Sequence, residues 1–124
     1  MTSNPYQDLN PEQLEAVKAV NGPVIVFAGA GTGKTKTLTT RIAYMINEMN
    51  ILANHILAIT FTKKATNEMR ERILSSVGIN AGGVFISTIH SLCAYILRRH
   101  IEHLGYRRDF EIIDDEEMLK IINE

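Results

Sequence analysis

A glycine-rich segment, AGAGTGKT at residues 28–35, has the residue types and the spacing of a phosphate-binding loop. Glycines allow consecutive backbone N–H groups to turn toward one anion, and a helix that follows adds its partly positive N-terminus. Lys34 can reach the β- and γ-phosphates of a nucleotide, and the Thr35 hydroxyl can ligate Mg²⁺. The segment follows the P-loop pattern except at its first position, which is alanine. We therefore predict a nucleoside triphosphate site built from Ala28, Gly29, Ala30, Gly31, Thr32, Gly33, Lys34 and Thr35, with Lys34 and Thr35 acting on the phosphates and Thr35 as the metal ligand.

The elements that must position this loop alternate between short β-rich runs and longer helical ones. Apolar runs predict strands at residues 24–28, 56–61, 84–87 and 110–113. Apolar residues at helical spacing predict helices at residues 34–49, 63–74 and 89–104, with Leu38, Ile42, Met45, Ile46 and Met49 facing the core from the first of these. The second would follow Thr62 as its N-cap and place Ala65, Met69 and Ile73 on one face. This alternation predicts an α/β fold with a mainly parallel sheet.

Two further helices are predicted from their first residues. Asn10, Pro11 and Gln13 have the spacing of an N-cap, a first-turn proline and a capping glutamine. Gln13 has a second interpretation, because its amide is complementary to the N6/N7 edge of adenine. Asp114 and Glu117 have capping-box spacing as well, and this explains the acids at 114 and 115 better than a role as Mg²⁺ ligands at a strand end.

Composition places the chain in a broad class without defining its activity. Its 124 residues are 45% hydrophobic and 22% charged, which is typical of a soluble globular chain. The first residues lack a signal-peptide pattern, no apolar run could span a membrane, and the single cysteine, Cys93, suits a reducing compartment. We therefore expect a cytoplasmic protein. Residues 1–108 hold 12 Lys+Arg against 7 Asp+Glu, whereas residues 109–124 hold one against 7. The first part could present a basic face to a polyanion, but charge alone favours two solvated faces.

Four segments resemble the UvrD/PcrA/Rep group of superfamily I DNA helicases. LNPEQLEA at residues 9–16 resembles the Q motif of that group, and GAGTGKT at 29–35 with TRIAY at 40–44 resembles motif I and its helix. ILAITFTKKA at 56–65 with EMRERI at 68–73 resembles motif Ia, and STIHSLC at 87–93 with ILR at 96–98 resembles motif Ib. The resemblance extends over essentially the whole chain, in order and at the expected spacings.

The resemblance implies a P-loop NTPase of the RecA-like type, an α/β fold with three αβα layers that is apparently truncated here. It also implies an ATP-driven motor that moves along single-stranded DNA with 3′-to-5′ polarity and unwinds duplexes. By the same resemblance Gln13 would read adenine, and Phe61, Thr62, Lys64, Thr88 and His90 would contact DNA. An aromatic ring at a strand end can stack on a base, although without the resemblance Phe61 would be assigned to the core. Lys63 stands where the group has asparagine, so it would either add a phosphate contact or point to solvent.

The resemblance also implies that the chain is a partial UvrD-like helicase ATP-binding domain, which ends where the inserted 1B subdomain would begin. The Asp-Glu-x-Gln-Asp motif of the group is absent from residues 1–124, so we expect weak binding of ATP and single-stranded DNA without hydrolysis. The expected partners are single-stranded DNA, single-strand/duplex junctions and the downstream helicase domains. Exposed Met118, Ile121 and Ile122 on the last helix could also join two copies of the chain.

Other functions stay open at this stage. A small P-loop kinase would need lid arginines, for which Arg107 and Arg108 are the candidates. A non-catalytic nucleotide- or DNA-binding module is the other alternative. A zinc site is disfavoured, because Cys93 and His100 would lie about 10 Å apart along a helix, which leaves only His100 and His103 as a candidate pair. Repair, replication restart and plasmid replication are all compatible with the resemblance.

Overall fold

The computed structural model describes residues 4–29 and 33–124, and the chain divides into two compact units, residues 1–89 and residues 90–124. Within the described part of the first unit, the regular elements follow one another along the chain. They are α1 (Pro11–Lys18), α2 (Lys34–Asn47), β1 (Leu57–Thr60), α3 (Lys63–Val77) and β2 (Phe85–Thr88), with short 3₁₀ helices at Ala53–His55 and Gly78–Ala81.

The strands β1 and β2 form a parallel pair. Their register runs from Leu57 opposite Phe85 to Thr60 opposite Thr88. Parallel neighbours need a crossover connection, and α3 provides it. Both strands therefore end at the same edge of the sheet, and the segments that follow Thr60 and Thr88 begin there.

A small apolar core lies between the strands and the helices α2 and α3. It consists of Ile42, Ile56, Ala58, Met69, Ile73 and Ala81. The predicted inward positions of Ile42, Met69 and Ile73 are confirmed, and Met45 and Ile46 pack against this core while partly exposed. The prediction was wrong for Leu38 and Met49, which are exposed. Leu38 lies on the side of α2 that lines a cavity, so the buried stripe is narrower than the apolar pattern.

The predicted helix starts are confirmed by their hydrogen bonds. The Asn10 side chain accepts from the Gln13 N–H at 2.8 Å, and the Gln13 side chain accepts from the Asn10 N–H at 3.0 Å. The Thr62 hydroxyl accepts from the Ala65 N–H at 3.0 Å at the start of α3. These bonds join groups three residues apart, which is why the sequence predicted them well.

Two of the predicted strands were wrong. Residues 24–28 and 110–113 have irregular backbone, and Ile25, Val26 and Phe27 are exposed. A strand is stabilised by a hydrogen-bonded neighbour, and in the described residues β1 and β2 pair only with each other. The mixed helix and strand content and the parallel pairing agree with the predicted α/β class; the three-layer arrangement stays a prediction.

The second unit is mainly helical. Helix α4 (Ile89–His100) begins at the last residue of the first unit, continues as a 3₁₀ turn (Ile101–Leu104) and ends at Gly105, whose φ is +83°. Arg98 lies over the Phe110 ring, 4.7 Å from its centre, and donates to the Arg108 carbonyl at 3.2 Å.

Helix α5 (Asp115–Asn123) begins with the predicted capping box, in which Asp114 accepts from the Glu117 N–H at 2.8 Å. The apolar side chains of α5 are exposed, namely those of Met118, Leu119, Ile121 and Ile122. Self-association through this helix stays a prediction. Among the described residues, no helix combines the length and the apolar composition needed to cross a membrane.

Candidate functional site

The predicted phosphate loop meets α2 at a glycine that other residues could not replace easily. Gly33 has a φ of +77°, the left-handed region, and its carbonyl accepts from the Thr37 N–H at 2.9 Å to begin the helix. A Cβ at this position would lie 3.3 Å from the Gln13 side-chain nitrogen. Lys34 and Thr35 are the first residues of α2, so their N–H groups lack intrahelical partners and can bind an anion. The predicted loop residues Ala30, Gly31 and Thr32 lie outside the described residues.

The helices α1 and α5 have acidic residues in their first turns, whereas α2 and α3 have lysines there. The first turn of α1 contains Glu12, and the first turn of α5 contains Asp115, Glu116 and Glu117. The partly positive N-terminus of a helix stabilises acidic side chains at these positions. The helices α2 and α3 begin instead with KTKT and KKAT, without an acid. Lysines at a helix N-terminus are unfavourable unless an anion neutralises them. The starts of α2 and α3 therefore carry positive charge that an anion would stabilise.

A cavity of about 470 Å³ lies beside the start of α2 within the first unit. This volume is in the range that holds small-molecule ligands, about 300–1,000 Å³. Its walls combine apolar side chains with a few polar groups that could orient a ligand. The lining includes Gln13, Ala16, Val26, Phe27, Ala28, Gly29, Lys34, Leu38 and Arg41.

Gln13 fulfils the capping interpretation and also lines this cavity. Its oxygen accepts from the Asn10 N–H, and its nitrogen lies close to the backbone of Gly33. An amide oxygen has two lone pairs, so a capping bond does not by itself exclude a bond to a base. The two interpretations of Gln13 are therefore compatible in one side chain.

Arg41 is a cavity residue to which the sequence analysis assigned no role. Its guanidinium donates to the Ala19 carbonyl at 2.7 Å, which ties the end of α1 to α2. Its Nε is buried and has no hydrogen-bond partner among the described residues. The position of Arg41 beside Lys34 could have been predicted from helical periodicity. Lys34, Leu38 and Arg41 are spaced i, i+4 and i+7, so they lie on the same face of α2, which lines the cavity.

The segment before α1 packs on α2. The Tyr6 ring lies edge-on to the Tyr44 ring, with centroids 6.3 Å apart. Burial raises the pKa of the Tyr6 phenol, and the Glu48 carboxylate raises it further. Asp8 pairs with Lys36 at 3.6 Å.

Most of the residues predicted to contact DNA lie at the carboxyl edge of the parallel strands. Phe61 follows β1 directly and is 89% exposed, so the core interpretation of this ring is wrong. Thr62 caps α3, and Lys63 and Lys64 are exposed in its first turn. Thr88 ends β2 opposite Thr60 and is buried, so only a small part of its surface could contact a ligand. His90 is exposed and belongs to the second unit.

The alternative sites lack support in the described residues. No group of three His, Cys, Asp or Glu side chains there could hold a metal ion. Asp114 is engaged as the cap of α5. The two arginines considered as kinase lid residues form ion pairs, Arg107 with Asp109 at 2.6 Å and Arg108 with Glu102 at 2.9 Å.

Comparison with known proteins identifies the family of the chain. The family profile described as the UvrD/REP helicase N-terminal domain matches residues 9–124. This chain belongs to that family. The predicted resemblance to the UvrD/PcrA/Rep group is confirmed.

Individual relatives are bacterial helicases. The chain is 51% identical over 114 residues to the ATP-dependent DNA helicase PcrA of Bacillus subtilis, an alignment that covers 92% of this chain and 15% of the relative. It is 47% identical over 116 residues to the PcrA helicase of Staphylococcus aureus, covering 94% and 16%. The Staphylococcus epidermidis PcrA helicase is 45% identical over 118 residues, covering 95% and 16%. The chain thus spans about one sixth of the length of these relatives.

Proposed function

We propose that this chain is the nucleotide-binding part of an ATP-dependent 3′-to-5′ DNA helicase and binds both Mg-ATP and single-stranded DNA. The observation that carries the proposal is the start of α2, where Gly33, Lys34 and Thr35 present N–H groups and a cation beside a cavity of about 470 Å³. Phosphates would lie at the helix start and the base in the cavity, next to Gln13. Thr35 would supply the protein ligand to Mg²⁺, which screens the phosphate charge.

The second part of the proposal concerns the start of α3. Its lysines and its exposed Phe61 match the two requirements for binding a single strand without reading its sequence, positive charge along the backbone and an aromatic face for a base. The helix start adds N–H groups that can contact phosphates. We include Thr62, Lys64 and Thr88 in the proposed DNA surface of the first unit, with Lys63 as an added cation. His90, in the second unit, is proposed as a separate DNA contact.

Hydrolysis requires an Mg²⁺-binding acid, a residue that orients water, and arginines on the transferred phosphate. The Asp-Glu-x-Gln-Asp motif that carries the acid in this family is not among residues 1–124. We propose that this polypeptide binds ATP without turning it over, that unwinding at single-strand/duplex junctions belongs to the whole helicase, and that the protein acts in the cytoplasm.

The test is a pair of titrations of the chain, one with Mg-ATP and one with a fluorescein-labelled oligothymidylate, together with a turnover assay. We expect both ligands to bind, and DNA affinity to fall with salt at a slope near −0.7 per phosphate contacted. A stand-alone kinase would bind ATP and ignore the oligonucleotide. Binding of neither ligand would overturn the proposal.

A first prediction tests the base interaction of Gln13. We expect Gln13→Glu to weaken ATP binding by about 10-fold, which is roughly 1.4 kcal/mol, because the amide donor is replaced by an anionic oxygen. Glutamate can still accept from the Asn10 N–H, so the capping box and the thermal midpoint should be kept. Isothermal titration with Mg-ATP and Mg-GTP measures the effect. Equal ATP affinity in the variant and the wild type would leave Gln13 with the capping role alone.

A second prediction tests the aromatic contact. We expect Phe61→Ala to weaken oligothymidylate binding by about 5- to 150-fold, since stacking on one base contributes about 1–3 kcal/mol. The ring is exposed, so its removal should leave the unfolding midpoint unchanged. Phe61→Tyr, which keeps the aromatic face, is the matched control. If Phe61→Ala bound as tightly as the tyrosine variant, the ring would not be a stacking platform.

A further inference from the structure

The exposed ring of Phe61 is held by its neighbours and not by its own packing. Thr60 before it is only 8% exposed, whereas Phe61 is 89% exposed. An aromatic side chain with so little contact area cannot fix the turn between β1 and α3. Polar groups on either side of the ring must fix this turn.

Those groups converge on a single carbonyl oxygen, that of Thr62. It accepts from the Thr66 N–H at 3.0 Å, and the hydroxyls of Thr66 and Thr60 lie 3.1 Å and 3.2 Å from it. The two hydroxyl oxygens are themselves 2.6 Å apart. The network thus joins the last residue of β1, the cap of α3 and a residue one turn into α3.

The two hydroxyl protons are enough to give both threonine hydroxyls a partner within this network. Each hydroxyl has one proton, so one threonine donates to the Thr62 carbonyl while the other donates to its partner's oxygen. Both arrangements satisfy the buried hydroxyls, and Thr66 is only 7% exposed. The Thr62 hydroxyl is separately engaged with the Ala65 N–H. Every hydroxyl around the turn therefore has a partner within it.

We propose that Thr66 is a positioning residue for the DNA-binding turn, residues 61–64. Its hydroxyl locks the turn, so that Phe61 and the lysine-bearing start of α3 meet a single strand in one fixed arrangement. The inference rests on the proposed function, because it assigns the contacts to that turn. A preformed turn binds more tightly since the strand does not have to order it.

The test compares Thr66→Val, which keeps the shape without the hydroxyl, with Thr66→Ser, which keeps the hydroxyl. We expect Thr66→Val to raise the dissociation constant for labelled oligothymidylate about 10-fold, and Thr66→Ser to stay within about 2-fold of wild type. Mg-ATP affinity should be unchanged in both variants. Equal losses in the valine and serine variants, or no loss in either, would overturn the proposal.

A control variant separates positioning from general destabilisation. Thr39→Val removes another buried threonine hydroxyl, which donates within α2 to the Lys36 carbonyl at 3.1 Å. We expect it to leave oligothymidylate binding unchanged. A loss of DNA affinity equal to that of Thr66→Val would mean that any buried hydroxyl has this effect, and would contradict the proposal.

The order of the turn can also be measured in the absence of DNA, so the role of Thr66 is tested separately from DNA binding. Amide hydrogen exchange of the Ala65 N–H, which donates to the Thr62 hydroxyl, reports on the turn itself. We expect faster exchange in Thr66→Val and wild-type exchange in Thr66→Ser. If the wild-type chain failed to bind oligothymidylate, the DNA proposal would be wrong, and unchanged exchange in Thr66→Val would show separately that Thr66 does not hold the turn.

Discussion

Replacing Lys34 with alanine lowers the affinity of this chain for Mg-ATP by about 100-fold, which corresponds to roughly 2.7 kcal/mol. The side chain stands at the first position of α2, and it lines the cavity together with Gln13. Charge-assisted bonds to phosphate are stronger than neutral ones, and removal of one partner of such a pair, where the complex buries it, costs about 2–5 kcal/mol. The fold should survive, because Lys34 is exposed and is not part of the apolar core.

The measurement is isothermal titration with Mg-ATP, and Lys18→Ala is the control. Lys18 is an exposed lysine in the last turn of α1, so its loss removes one positive charge without touching the start of α2. We expect the control to bind like the wild type. If both variants weakened binding equally, the effect would come from net charge, and Lys34 would not contact the nucleotide.

Turnover in the same samples distinguishes a binding unit from a complete enzyme. We expect no phosphate release by the wild type or by Lys34→Ala, with or without single-stranded DNA. Release by the wild type that vanished in Lys34→Ala would show that residues 1–124 hydrolyse ATP by themselves. The metal ligand would then have to be sought among acids such as Asp115, since Asp114 caps α5.

The sequence predicted the local features of this fold well. The capping boxes at Asn10 and Asp114 and the cap at Thr62 each depend on groups three residues apart. The crossover between β1 and β2 was also predictable, because a helical period separates two apolar runs. These features depend only on residues that are close together in the sequence, so they can be predicted without knowledge of the rest of the fold.

Features that depend on distant residues were missed. Residues 24–28 have the composition of a strand, yet a strand needs a partner, and composition does not say whether one is present. The bond from Arg41 to the Ala19 carbonyl joins residues 22 apart, and sequence spacing carries no sign of it. The Thr60–Thr66 pair spans a strand end and a helix, so its convergence on one carbonyl became visible only in the structure.

Replacing Ile73 with alanine destabilises the first unit by about 2–5 kcal/mol, the cost of removing a large aliphatic side chain and leaving a cavity. Ile73 is 0% exposed and packs in the core with Ile42, Ile56 and Met69. Whole domains have unfolding free energies of about 5–15 kcal/mol, and this core is small. Urea denaturation followed by circular dichroism should show a large fall in the midpoint.

Two graded variants make the result specific to the core. Ile73→Val removes one methylene and should cost about 0.5–1.5 kcal/mol. Leu74→Ala changes the next residue, which is 43% exposed, and should cost about 1 kcal/mol or less. Helix α3 joins the turn to the core, because Thr62 caps its start, Thr66 lies one turn later and Ile73 packs in the core. Loss of packing at Ile73 should therefore also increase the mobility of the turn that presents Phe61. If Ile73→Ala cost no more than Leu74→Ala, this core would not hold α3 in place, and it could not fix the arrangement of that turn.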